Sequence, residues 1–131
     1  ELPSNVIEAE RFIQMMELSG GSIGSNDLVQ TVYAVSRDDL EGYQNPVDAR
    51  SPAVKSMIRQ IVNKFNARGL EIGICGQAPS DFPEEFPPFL IDCGISSISV
   101  TPDTAIAVRN TVAEAEKAAK KLTKQAELLS D

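Results

Sequence analysis

Three short polar stretches of this chain carry residues that could do chemistry. Each lies at or just after the end of a segment of strand length: Ser25-Asn26-Asp27, Cys75-Gly76-Gln77 and Thr101-Pro102-Asp103. Asp27 and Asn26 offer a carboxylate and an amide oxygen, which are the hard ligands that suit Mg²⁺. A thiol at Cys75 could donate a proton or act as a nucleophile. Gly76 beside it would let a ligand or another backbone segment approach closely.

Each of these residues also has a purely structural interpretation. An Asn-Asp pair is common turn or helix-cap chemistry, and a cysteine after an apolar strand is often an inert, buried small hydrophobe. From spacing alone, these interpretations are favoured for both Asp27 and Cys75. Arg37 leads a polar segment and could clamp a phosphate or carboxylate bidentately. Paired with Asp38 or Asp39, it would instead be an ordinary solvated arginine.

Four helices are predicted to position these stretches. The first is capped by Ser4 and ended by Gly20-Gly21, the second runs from Ser51 to Gly69, the third lies between Asp81 and Cys93, and the last runs from Asp103 or Thr104 to about Leu128. Ser51 and Pro52 give the clearest start, because serine is a good N-cap and proline suits the first helical position. Pro87 and Pro88 conflict with the third helix, since interior prolines break its hydrogen-bond ladder.

Three strands are predicted between these helices, over residues 22–25, 70–75 and 95–100. Residues 28–35 are apolar and ambiguous, and residues 36–50 are predicted to be a long loop. Strands that alternate with helices indicate βαβ units and a parallel sheet. Functional residues of such folds lie just past the carboxyl ends of the strands. The three polar stretches are therefore expected on one rim.

The number of strands indicates an incomplete fold. Three parallel strands leave two unpaired edges, whereas an intact βα-barrel has eight strands. The predicted fold is therefore α/β, the C-terminal part of a (β/α)8 TIM barrel, with about three parallel strands and flanking helices. Residues 1–131 are expected to form a single, incomplete domain.

Composition excludes several classes of function. A net charge of −7 repels phosphate backbones, which argues against nucleic-acid binding. The absence of histidine from the sequence excludes Ser-His and Cys-His catalysis within the chain. The two cysteines fit neither a disulfide framework nor a zinc pattern, and a reducing cytoplasm is the expected compartment. No apolar run is long enough to span a membrane, and no secretory signal is visible.

Read in order, several sequence blocks resemble the C-terminal phosphoenolpyruvate-utilising domain of the phosphoenolpyruvate synthase family. They are SIGSNDLVQ (22–30), AVSRD (34–38), ARSPAV (49–54), GICGQAPSD (73–81) and GISSISVTPDT (94–104). The resemblance covers residues from about 5 to 120. The ending GQAPSD points to the synthase, since pyruvate phosphate dikinase and enzyme I of the sugar phosphotransferase system differ after Cys-Gly.

The resemblance implies roles for seven residues, and it favours the functional interpretation of Asp27 and Cys75. Asp27 would bind Mg²⁺, and Cys75 would be the acid–base that moves a proton at the methylene carbon. The remaining residues would contact substrate: Asn26 the phosphoryl group, Ser25 the same pocket, Arg37 a phosphate, and Gly76 and Gln77 the surroundings of the thiol.

The resemblance also implies a reaction and missing parts. ATP, pyruvate and water would give AMP, phosphoenolpyruvate and phosphate through a phosphohistidine on another domain. That domain, an ATP-grasp domain, the substrate-binding arginines and a second Mg²⁺ carboxylate are expected outside the chain. The chain alone is therefore predicted to be inactive, and two copies are predicted to associate. The alternatives are an independent, non-catalytic binding module, or part of a pyruvate phosphate dikinase or enzyme I type protein.

Overall fold

The computed structural model describes residues 1–36 and 47–129. Within these ranges the strands are β1 (Gly20–Gly24), β2 (Glu71–Cys75) and β3 (Ser97–Ile98). The helices are α1 (Pro3–Ile7), α2 (Ala9–Met16), α3 (Ser25–Tyr33), α4 (Pro52–Asn66), α5 (Ala78–Asp81), α6 (Phe86–Cys93) and α7 (Ala105–Leu129). Most of the predicted loop, including Arg37, lies outside the described residues.

The three strands form one parallel sheet in the order β1-β2-β3. Gly24 stands opposite Cys75, and Gly73 stands opposite Ser97. The predicted α/β fold with parallel strands is thus confirmed, and the carboxyl ends of the strands point the same way. The second predicted strand matches β2 closely. β1 ends one residue earlier than predicted, and β3 is only two residues long.

Helix α4 packs an apolar stripe into the core. Val54, Ile58 and Val62 are fully buried at spacings of four residues, and burial of such a side chain contributes roughly 1.5–3 kcal/mol. Pro52 begins the helix as predicted. Ser51 stands at the N-cap, but its hydroxyl accepts no hydrogen bond from a helix N–H group and donates to the Asp48 carbonyl oxygen at 2.6 Å.

The first predicted helix is two helices, because the chain breaks at Glu8. Lys64 of α4 donates from Nζ to the carbonyl oxygens of Val6 and Ile7, at 2.8 Å each. A continuous helix would use those two oxygens for its own ladder. The predicted stop at Gly20-Gly21 is also wrong: Glu17 ends α2 in the left-handed conformation (φ 49°), and the two glycines begin β1.

The third predicted helix is shorter than predicted: α6 covers its second half, whereas α5 ends at Asp81, where the predicted helix begins. Pro87 and Pro88 lie in the first turn of α6, where the missing backbone N–H would have no helical partner. The prolines thus start a helix instead of interrupting one. Gly94 ends α6 with φ 83°, in agreement with the predicted end of this helix at Cys93. The ambiguous segment at residues 28–35 belongs mainly to α3, and the last helix extends to Leu129.

The two faces of the sheet differ in character. Ile72 and Ile74 of β2 are buried in the core, together with Ile23 of β1 and helix residues such as Ile58 and Phe86. The alternate positions on the other face carry small or polar residues: Ser22, Gly73, Cys75 and Ser97. Ser22, Cys75 and Ser97 are exposed. Helices therefore cover one face of the sheet within the described part of the chain.

None of the described helices is long and apolar enough to cross a bilayer.

Candidate functional site

The register of β1 and β2 brings the first two polar stretches together. Because Gly24 pairs with Cys75, the residues that follow, Ser25 and Gly76, are neighbours. Gly76 has φ +119°, and a β-carbon added there would overlap the Ser25 hydroxyl oxygen. A glycine is therefore required at position 76 for two reasons: its backbone conformation and the close approach of Ser25.

Asn26 and Gln77 connect the two loops through their amides. Asn26 Nδ2 donates to Gln77 Oε1 at 3.5 Å, and the Gln77 backbone N–H donates to Asn26 Oδ1 at 3.4 Å. Both hydrogen bonds are long, so they hold the amides loosely. The pair nevertheless places one polar residue from each loop at the same point on the rim.

Cys75 ends β2 with an exposed thiol. Its sulfur lies 3.4 Å from the Ile23 carbonyl oxygen, to which it can donate, and 3.8 Å from Ser22 Oγ, from which it can accept. This contact places the Ser22 hydroxyl at the reactive atom of the candidate site. Ser22 is therefore a candidate that was missed from sequence. Its signal is the two-residue alternation of a strand, which puts Ser22 on the same face as Cys75.

Ser25 is the buried polar residue of the site. Its side chain is fully buried, and its hydroxyl has no hydrogen-bond partner among the described residues. Burying an unpaired hydroxyl is costly. The hydroxyl lies against Gly76, at the junction of the two loops, where an oxygen of a small ligand could pair with it.

Asp27 lies in the first turn of α3 and is exposed. Its Oδ1 accepts a hydrogen bond from Gln30 Nε2 at 3.1 Å. A carboxylate in this position is favoured by the helix dipole. The Asp27 carboxylate also has further oxygen lone pairs that could coordinate a cation.

Glu1 brings a second carboxylate to the same rim, which sequence reasoning missed. Its side chain lies against Gly24, so that Glu1 Oε1 would be 2.7 Å from a β-carbon there. Thr31 Oγ1 lies 2.7 Å from the Glu1 carbonyl oxygen and 2.9 Å from that of Asp27. Glu1 is thus anchored to the helix that carries Asp27. The available signal is only an acidic residue just before a helix that begins with a proline.

Glu1 and Asp27 bring two carboxylates to the part of the rim that adjoins β1. No group of three or more His, Cys, Asp or Glu residues that could hold a metal ion occurs in the described part of the chain. Mg²⁺ is commonly held by one or two carboxylates, with waters and substrate phosphates completing the shell. The oxygen donors of Glu1 and Asp27 therefore fit Mg²⁺ better than a transition metal.

The third polar stretch attaches to α5. The Thr101 backbone N–H donates to Ser80 Oγ at 2.9 Å. The hydrogen bond from the Thr101 side chain lowers the pKa of Asp103, which is exposed. The stretch thus reaches the rim through the loop after β2. Cys93 is buried in α6, as a packing residue would be, and burial raises the pKa of its thiol.

The fold and rim define an α/β domain that collects polar side chains at the carboxyl ends of parallel strands, where such domains bind ligands. Residues 1–117 match the family described as PEP-utilising enzyme, PEP-binding domain. The chain belongs to this family.

Curated relatives agree with that family. The chain is 46% identical over 117 residues to the phosphoenolpyruvate synthase of Aquifex aeolicus and 46% identical over 118 residues to that of Synechocystis sp.. It is 43% identical over 118 residues to the probable phosphoenolpyruvate synthase of Staphylothermus marinus. These matches cover 89 to 90% of this chain but only 13 to 14% of each relative. The resemblance to the synthase is confirmed, and the chain spans about one seventh of the relatives' length.

Proposed function

We propose that this chain is the C-terminal part of the phosphoenolpyruvate-binding barrel of a phosphoenolpyruvate synthase. The observation that carries the proposal is the meeting of Asn26 and Gln77 across the rim, beside the exposed thiol of Cys75. The reaction would be ATP, pyruvate and water to AMP, phosphoenolpyruvate and phosphate. The names of the relatives support this assignment.

Cys75 would carry the proton of the reaction. In the direction of phosphoenolpyruvate formation, its thiolate removes a proton from the methyl group of pyruvate, and the enolate oxygen then attacks the phosphorus of a phosphohistidine. In reverse, the thiol returns the proton to the methylene carbon. The position of the thiol supports this role, because it is exposed at the rim and within reach of the Ser22 hydroxyl.

The polar residues around the thiol would bind the anionic substrate. Asn26 retains a second amide hydrogen for a phosphoryl oxygen, and the buried Ser25 hydroxyl supplies a donor beside it. Gly76 and Gln77 would shape the pocket. Arg37, outside the described residues, would grip phosphate as the family resemblance implies.

Glu1 and Asp27 would hold Mg²⁺. The pair of carboxylates and the nearby phosphate site match the way proteins hold this ion. When bound, Mg²⁺ neutralises charge on the enolate and the phosphoryl oxygens. The family resemblance places the second Mg²⁺ carboxylate outside the chain. On this proposal, Glu1 supplies that carboxylate from within the chain.

Features of the sheet support a larger barrel. A cavity of about 390 Å³ flanks β1, with Gly21, Ser22 and Ile23 among its lining residues, and another of about 280 Å³ flanks β3. No helix covers the polar face within residues 1–36 and 47–129, although parallel sheets are normally buried on both sides. Further strands, the ATP-grasp and phosphohistidine domains and a second copy of the protein would complete the enzyme, in the cytoplasm.

The chain alone is expected to show no pyruvate-dependent ATP turnover, because it provides only part of the barrel. The full-length protein that carries this segment is expected to form AMP and phosphate from ATP only when pyruvate is present. Phosphate release can be measured in both samples. Turnover by the isolated chain, or none by the full-length protein, would contradict the proposal. A requirement for added phosphate, with release of pyrophosphate, would favour the dikinase alternative. Phosphoryl transfer from phosphoenolpyruvate to a protein acceptor without ATP would favour the enzyme I alternative.

A further inference from the structure

A network of contacts around Arg50 joins two neighbouring loops of the rim. Arg50 donates to the Asp48 carboxylate through its backbone N–H at 2.7 Å, its Nη2 at 2.8 Å and its Nε at 3.2 Å. From the same guanidinium, Nη1 donates to Glu85 Oε2 at 3.1 Å. The guanidinium carbon lies 3.7 Å from the centre of the Phe82 ring. One side chain therefore contacts both the turn before α4 and the loop after β2.

The turn before α4 is a fixed base for this side chain. Ser51 Oγ donates to the Asp48 carbonyl oxygen at 2.6 Å and lies 3.1 Å from the Asp48 backbone nitrogen. Ala49 and Val54, on either side of the turn, are buried in the core. Arg50 thus projects from a segment that is anchored independently of its own contacts.

From Phe82 the contacts continue to the rim through α5. The Phe82 backbone N–H donates to the Ala78 carbonyl oxygen at 3.0 Å. The backbone N–H groups of Ser80 and Asp81 donate to the Gln77 carbonyl oxygen at 2.9 Å each. One helical turn therefore separates the residue under the guanidinium from Gln77, so a displacement of Phe82 would be passed to Gln77 and to its partner Asn26.

The exposure of the network argues for a geometric role. The side chains of Arg50 and Asp48 are 37% and 38% exposed, and that of Glu85 is 54% exposed. Ion pairs exposed to this degree add little to global stability. A guanidinium that binds a carboxylate through its fork and stacks on an aromatic ring does, however, fix the relative position of its partners.

We propose that Arg50 is a positioning residue that braces the loop at residues 76–85 against the start of α4. It holds Gln77 at the place where the substrate would bind, without touching substrate itself. The structural part of this proposal is independent of the reaction, and its kinetic consequence rests on the proposed function.

Hydrogen exchange in the chain tests the brace directly. In Arg50→Met, the amide hydrogens of Ser80 to Phe82 are expected to exchange about 10-fold faster than in the wild type. The reason is that the loop would open locally more often, without unfolding of the whole domain. Arg50→Lys keeps the positive charge but loses the forked geometry of the guanidinium. Its exchange rates at Ser80 to Phe82 are expected to lie between those of the wild type and those of Arg50→Met. Exchange at Ile74 in the core, which reports global opening, is expected to stay unchanged.

Arg59→Met is the matched control. Arg59 also pairs with a carboxylate, Asp92 at 3.0 Å, and its guanidinium carbon lies 5.4 Å from the centre of the Phe89 ring, between α4 and α6. This variant is expected to leave exchange at Ser80 to Phe82 unchanged. Equal acceleration in both variants, or none in Arg50→Met, would overturn the proposal.

The full-length protein supplies the kinetic readout. Arg50→Met is expected to lower kcat about 10-fold with the KM for ATP unchanged, since a small misplacement of binding groups slows chemistry. Arg50→Lys is expected to recover part of the loss, and Arg59→Met to lose nothing. An active wild type whose Arg50→Met variant keeps full kcat would overturn the proposal. A wild type without pyruvate-dependent turnover would instead contradict the proposed function. The hydrogen-exchange experiment alone would then test whether Arg50 braces the loop.

Discussion

Replacement of Cys75 by alanine in the full-length protein is expected to lower the rate of phosphoenolpyruvate formation by about 10²–10⁴-fold, the usual contribution of a general acid–base. The thiol is exposed on the open face of the sheet and lies beside Ser22. Phosphorylation of the enzyme by ATP needs no proton at the pyruvate carbon and is expected to persist. Single-turnover measurements of the two half-reactions separate these steps.

Cys93→Ala is the control for this prediction. Cys93 is 5% exposed in α6, so its loss is expected to reduce stability modestly and to leave the rate unchanged. A Cys75→Ala variant that retains full activity would remove the thiol from the mechanism. An equal loss of rate in both variants would show that the effect is one of folding.

Gly76→Ala is expected to produce the largest loss of stability at the rim. At φ +119° an alanine costs roughly 1–3 kcal/mol in backbone strain. Its β-carbon would also overlap the Ser25 hydroxyl oxygen, and forced overpacking costs about 1–3 kcal/mol more. The free energy of unfolding from a denaturant titration of the chain measures the sum.

Two further variants separate strain from overlap. Gly69→Ala places alanine at φ +66° with nothing within 4 Å of the new β-carbon, so it carries backbone strain alone. Adding Ser25→Ala to Gly76→Ala removes the overlapping hydroxyl and is expected to recover part of the loss. A Gly76→Ala variant as stable as Gly69→Ala, or no recovery in the double variant, would contradict this account of the rim.

The elements that local chemistry specifies could be predicted from the sequence. Ser51, Pro52 and the apolar stripe after them define α4, and the apolar run before Gly76 defines β2. The convergence of Asn26 and Gln77 could also be predicted, because parallel strands place their carboxyl ends on one side of a sheet. Pattern and topology together are therefore sufficient for the backbone of the rim.

The features that could not be predicted depend on contacts between residues far apart in sequence. The break at Glu8 follows from Lys64, 56 residues later in the chain, which takes two carbonyl oxygens from the helix ladder. The nearness of Glu1 to Asp27 depends on Thr31, which contacts the backbone of both. No local propensity encodes such pairings, so they emerge only in the folded chain.

The most direct test of the central claim uses Mn²⁺ in place of Mg²⁺ in the full-length protein. Pyruvate labelled with carbon-13 at its methyl group, and Cys75 labelled at Cβ, would be observed together by NMR. Since one rim is proposed to hold the metal, the substrate and the thiol, bound Mn²⁺ is predicted to broaden both signals, and Asp27→Asn is predicted to abolish the broadening. A pyruvate signal broadened by Mn²⁺ while that of Cys75 stays sharp would contradict the account.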